Sequence, residues 1–142
     1  MSDPEAHPAR VDALRRVPLF ADLDDETVAD LARSATEVEV PRGHVLLERG
    51  QEGAGLFVVL GGTAEVHVGE SRIEVGEGEI LGELSLLVPG LRHTARVQAG
   101  DGFRALAVRR DDFETLLGDH PQMAVAMLRV LARRLAETLS FL

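Results

Sequence analysis

The chain has 142 residues, enough for one ordinary domain that buries roughly two-thirds of its unfolded surface. It has no cysteine, which excludes disulfides, thiol catalysis, thiolate metal sites and cysteine-held iron–sulfur clusters. A net charge of −9 and the absence of Tyr and Trp argue against nucleic acid, which wants a basic face and stacking platforms.

Residues 1–9 read as a disordered leader, polar and proline-containing, without the apolar run of a signal peptide. No stretch reaches the length of a membrane span, so a cytoplasmic protein with no membrane partner is expected. In Val17 to Leu23, Pro18 sits inside an apolar cluster, where a short helix should end and turn. Asp24 is placed to N-cap a second helix, whose apolar stripe is Val28, Leu31, Ala32 and Ala35.

From Thr36 the apolar period changes from helical to twofold. In "TEVEV" Glu37 and Glu39 alternate with inward Val38 and Val40, and "TAEVHV" does the same with Ala64, Val66 and Val68. "RIEV" repeats the pattern with Ile73 and Val75, and further strands are expected over 94–99 and 103–109. Glycines punctuate these runs, the signature of an antiparallel roll or barrel. The expected fold is α+β but mainly β. An eight-stranded antiparallel roll of jelly-roll type over about 36–110 follows N-terminal helices and precedes two C-terminal helices. No linker cuts the roll, so residues 10–142 read as a single domain.

Asp111 offers an N-cap with Glu114 as its capping-box partner, and Gly118 a C-terminal stop. Pro121 suits the first turn of a last helix, expected to run to about Phe141. That helix carries two apolar stripes. Met123, Met127 and Val130 form one; Leu128, Leu131 and Leu135 form the other, with Leu128, Leu135 and Leu142 one heptad apart. One stripe suffices to dock a helix, and the second invites a partner helix. A homodimer through Leu128, Leu131 and Leu135 is therefore expected.

The segment with chemistry in it is "GEGEILGELSLLVPGLRHTARVQA", from Gly76 to Ala99. Gly82 leaves a strand, and Glu83 to Leu87 then reads as one helical turn. Free backbone N–H groups at such a turn make a small anion site. A basic pair, Arg92 and His93, returns some ten residues later as the chain re-enters a strand. Taken alone, Glu83 is equally a carboxylate at a helix start, and Arg92 with His93 an ordinary polar loop.

These residues resemble the phosphate-binding cassette of cyclic nucleotide-binding domains, the family of the catabolite activator protein, cyclic nucleotide-dependent kinases and gated channels. The resemblance extends over nearly the whole chain. "PLFADL" is similar to the family's helical opening, "PRGHVLLERGQEGAGLFVVLGGTAEVHV" to its first strands, and "DDFETLLGDHPQMAVAMLRVLARRL" to its closing helices. It implies that Glu83 holds the ribose 2′-hydroxyl, that the backbone of Gly82, Leu84 and Ser85 cradles the cyclic phosphate, and that Thr94 lies beside it. The last helix would act as a lid. Counting back from Thr94, the family's phosphate arginine falls on His93, while Arg92 sits one place earlier, so either residue can fill that role. Exchanging guanidinium for imidazole removes a charge-assisted hydrogen bond worth roughly 1.5–3 kcal/mol.

The resemblance implies a regulatory sensor for cAMP or cGMP, with no catalytic residue, metal or cofactor, signalling through its C-terminal helix to an effector protein or domain not identified by the sequence. The alternative is the same fold with a degenerate pocket, serving as a dimerisation or protein-interaction module. A metal-dependent enzyme of cupin type would need histidines clustered on adjacent strands, and the five here are scattered; His44 and His67 read as surface residues. In the activator branch a DNA-binding helix-turn-helix usually follows the long helix. The chain ends at Leu142, so a stand-alone sensor or a portion of a longer protein is expected.

Overall fold

The computed structural model describes residues 6–53, 55–82, 86–88 and 90–139. They form two compact units, one from the residues up to Arg33 with those from Glu114 onward, the other from Ser34 to Phe113.

The first unit is helical. Helix α1 spans Ala6–Arg15, a 3₁₀ turn Pro18–Phe20 and α2 Asp25–Ser34. Helix α1 opens inside the segment read as a leader, with Pro8 in its first turn, where a missing N–H costs nothing. Pro18 starts the 3₁₀ turn, as its fixed φ favours. Asp24 caps α2 as expected: its Oδ1 accepts from the Thr27 N–H at 2.8 Å, and its carbonyl from Val28 at 3.1 Å. The expected stripe of Val28, Leu31 and Ala32 is buried.

Helices α3 (Arg110–Asp119) and α4 (Pro121–Thr138) close the chain order. Asp111 lies within the first turn of α3 and is not its cap, because strand β8 (Arg104–Arg109) runs into the helix without a loop. Gly118 does not stop α3 either; it has no positive φ and the helix continues to Asp119. In α4, Met123, Met127 and Val130 are buried, one face of a 3.6-residue period. Leu128 is 65% and Leu135 59% exposed, and Leu131 is half-buried. The expected end near Phe141 lies outside the described residues. His120, buried just ahead of α4, places Nε2 2.7 Å from Asp30 Oδ2, and Asp30 also pairs with Arg33. This contact fixes the start of α4 against α2.

The second unit is the roll. Its strands are β1 (Thr36–Glu39), β2 (Val45–Leu47), β3 (Gly55–Gly61), β4 (Ala64–Val68), β5 (Ser71–Val75), β6 (Ile80–Leu81), β7 (Arg96–Ala99) and β8. They make two four-stranded sheets, ordered β1-β8-β3-β6 and β2-β7-β4-β5, with every pairing antiparallel. Between the sheets lies a core of Val59, Ala64, Leu81, Val97, Ala99 and Phe103, flanked by Val38, Val40 and Phe57. The twofold pattern assigned the faces correctly, but not how far they are covered. Val68 and Ile73, expected inward, are 44% and 54% exposed. Both stand on the β4–β5 hairpin, whose outer strand β5 is a sheet edge, so the inward face extends beyond its cover.

Candidate functional site

Strand β6 is short and ends at Leu81, followed by Gly82, whose φ is +87°. A side chain here is opposed twice. The backbone lies in the left-handed region, and a Cβ would stand 2.9 Å from the Gly55 carbonyl oxygen. Gly82 thus packs directly on β3, which a residue with a side chain could not do. Leu86 and Leu87 are helical, in keeping with the expected turn, while Glu83, Leu84 and Ser85 lie outside the described residues.

The returning segment, residues 91–95, is held by the loop after β2. Arg92 forms an isolated antiparallel bridge with Glu52. The His93 N–H donates to Gln51 O, and the Gly50 N–H to His93 O, both at 2.9 Å. Arg92 Nη1 donates to the Gly50 carbonyl at 2.7 Å. At the end of β2, Glu48 Oε2 accepts from Arg96 Nε and Nη2 at 3.1 and 3.0 Å. Hydrogen bonding from Arg96 holds the Glu48 carboxyl below the usual carboxylate range. Arg110 Nε donates to Gly53 O at 2.8 Å.

Gly82 and the 91–95 segment meet at a cavity of about 430 Å³. Its walls are apolar: Leu47 of β2, Val66 of β4, Ile80 and Leu81 of β6, and Val97 of β7. Its polar lining is Arg92, His93 and Thr94. The volume falls within the roughly 300–1,000 Å³ of small-molecule sites, which likewise combine apolar walls with a few placed polar groups. His93 is half-buried, and that burial, followed by the positive charge of Arg110, pushes its imidazole below the usual histidine value.

Of the residues singled out in the sequence, the structure brings Gly82, Arg92, His93 and Thr94 to one place. The apolar walls were not identified as a site. Leu47, Val97, Val66 and Ile73 form one cross-strand row over β2, β7, β4 and β5, running from the cavity to exposed Ile73. Each strand showed its apolar face in its alternation, but their adjacency depends on a strand order the alternation does not contain. Among the described residues no group of acidic and histidine side chains could hold a metal ion, and no helix is long and apolar enough to cross a membrane.

Residues 37–120 match the family model described as cyclic nucleotide-binding domain. The chain is 29% identical over 133 residues to a CRP-like cAMP-activated global transcriptional regulator of Mycobacterium tuberculosis, covering 88% of this chain and 58% of that protein. It is 27% identical to a cyclic nucleotide-gated potassium channel of Rhizobium etli, covering 83% of this chain and 33% of the channel. The crystal structure of the N-terminal domain of a Streptomyces coelicolor transcriptional regulator superposes with a TM-score of 0.77 at 41% identity, covering 89% of this chain and 94% of that one. The catabolite activator protein of Thermus thermophilus superposes at 0.71 with 30% identity, covering 85% and 59%. The chain thus spans about 58% of the length of the mycobacterial regulator. With the matching family model, the two-sheet roll and the cavity in hand, the chain belongs to the cyclic nucleotide-binding domain family.

Proposed function

We propose that the chain acts as one regulatory sensor domain that binds a cyclic nucleotide, cAMP or cGMP, in the cavity between β6 and the 91–95 segment. The observation that carries this reading is the convergence of Gly82, Arg92, His93 and Thr94 on one apolar-walled cavity. A cyclic nucleotide joins a flat, largely apolar base to a single phosphodiester anion. Apolar walls suit the base, and the polar lining suits the phosphate. In this reading the backbone of Gly82, Leu84 and Ser85 cradles the phosphate, Glu83 accepts from the ribose hydroxyl, and Thr94 lies beside the ligand. The mycobacterial relative, named for activation by cAMP, supports the ligand class.

The output runs through α4. Its Leu128 and Leu135 are exposed large apolar residues one heptad apart, and with Leu131 they form the surface on which a second copy would pack. An effector protein or domain would read the arrangement of that pair.

A second reading is a fold of the same family without a working pocket, acting by dimerisation alone. It is favoured by one contact, the Arg92 guanidinium engaged by the Gly50 carbonyl. Titration calorimetry with cAMP, cGMP and linear 5′-AMP separates the two. Saturable binding of a cyclic nucleotide with weaker binding of 5′-AMP is expected. Absence of binding by both cyclic nucleotides to folded protein would transfer the function to the interaction surface.

A further inference from the structure

We infer that cyclic nucleotide binding in this cavity is coupled to uptake of a proton by the His93 imidazole, so that the site responds to nucleotide and acidity together. The inference rests on the nucleotide-pocket reading and adds to it the residue that meets the phosphate.

Among the described residues lining the cavity, His93 is the one whose side-chain type titrates near neutrality. Its backbone is fixed on both sides, by Gln51 through its N–H and by Gly50 through its carbonyl, so the ring is carried by an immobilised stretch of chain. The neighbouring cation, Arg92, is engaged by Gly50 O and keeps its charge at any working pH. Without ligand, burial and the charge of Arg110 both favour the neutral ring. A phosphodiester is anionic throughout this range, and placing it beside the ring reverses the preference.

The other charged groups near this stretch, among the described residues, do not supply that negative charge. Arg110 comes from the first turn of α3, bonded to Gly53 O. Glu52 lies across the bridge from Arg92, and Arg49 is exposed on the same loop. Glu48 is held by Arg96, its carboxyl lowered so that it stays ionised well below neutrality. Imidazole is the side chain whose ordinary titration range lies nearest neutrality, which makes His93 the variable group of this stretch.

The sign follows from linkage. Without nucleotide the imidazole titrates below the ordinary histidine value, and with the phosphate beside it the value rises. Between the two, binding brings a proton with it. Affinity therefore rises as pH falls from about 8 towards 6, by at most about tenfold per pH unit, and levels off once His93 is protonated before nucleotide binds.

The test is calorimetric titration of the intact chain with cAMP and cGMP at pH 6, 7 and 8, repeated in buffers of different ionisation enthalpy to count protons. Net proton uptake at pH 7 and a falling affinity towards pH 8 are expected. His93→Gln should abolish both, and His93→Arg should flatten the pH profile while keeping affinity high at pH 8. Circular dichroism establishes that each variant is folded. Binding with no proton uptake in the parent chain, or an unchanged pH slope in both variants, would overturn the coupling while leaving the nucleotide site intact. Failure of the parent chain to bind either nucleotide at any of these pH values would overturn the site reading itself, and the coupling with it.

Discussion

Arg92 Nη1 donates to the Gly50 carbonyl oxygen at 2.7 Å, which ties the loop after β2 to the segment that lines the cavity. Both partners are exposed, so water can replace the bond at little cost. Arg92→Ala should therefore lower stability by no more than about 1 kcal/mol in denaturant titration. It should also leave the pH dependence of nucleotide binding in place, because arginine does not titrate there. Loss of that pH dependence in Arg92→Ala would assign the titration to a wider network than His93.

Gly82 and Gly78 share a φ of +87° but differ in surroundings. A Cβ on Gly82 would meet the Gly55 carbonyl oxygen at 2.9 Å, whereas one on Gly78 meets nothing within 4 Å. Gly78→Ala should cost about 1 kcal/mol, the strain of a left-handed alanine alone. Gly82→Ala adds a backbone clash and should cost about 2–3 kcal/mol. Equal losses in thermal unfolding would mean that β3 yields to the added methyl group.

The buried His120 ring depends on Asp30, whose Oδ2 lies 2.7 Å away. Asp30→Ala leaves that ring nitrogen without its carboxylate in a site that is 6% exposed, at a cost of about 1–3 kcal/mol. Denaturant unfolding measures this directly. An unchanged midpoint would show that the start of α4 is held by apolar packing alone.

Hydrogen bonding from Thr27, whose N–H meets Oδ1 at 2.8 Å, holds the Asp24 carboxyl below its ordinary value by favouring the ionised form. With the folded value depressed, its contribution to stability is fully present above the ordinary carboxylate value of about 3.9 and is lost as pH falls through the folded one. Asp24→Ala should lower the melting temperature at pH 7, and the difference from the parent chain should shrink in acid. A difference that stays constant down to pH 2 would contradict the cap's ionic character.

Leu135 is 59% exposed on α4, so its substitution should leave the protomer fold unaffected. Leu135→Asp should convert a dimer to monomer in sedimentation equilibrium, since a charge at a heptad position opposes a helix pair. A parent chain that is monomeric at high micromolar concentration, or a variant that remains dimeric, would exclude this surface as the dimer contact.

Much of this architecture is legible in the residues, and the failures share a cause. "TEVEV" announced β1, and Asp24 announced the start of α2, because twofold alternation and capping are local properties. Asp111 and Gly118 gave false boundaries, since β8 flows directly into α3 and a glycine can remain helical. Val68 and Ile73 belong to the inward face of their hairpin, yet alternation says nothing about what covers that face. The polar half of the cavity could be read from a contiguous segment, Gly82 to Thr94. Its apolar half, Leu47, Val66 and Val97, is assembled only by strand pairing.

The amide NMR spectrum of the chain titrated with cAMP and with cGMP tests the central claim most directly, because it reports both binding and place. For the nucleotide that binds, the largest shifts should fall on Ile80, Leu81 and Gly82 and on residues 91–97, the two segments that meet at the cavity. Spectra unchanged by either nucleotide, or shifts confined to residues remote from this cavity, would contradict the assignment of the roll's interior as a cyclic nucleotide site.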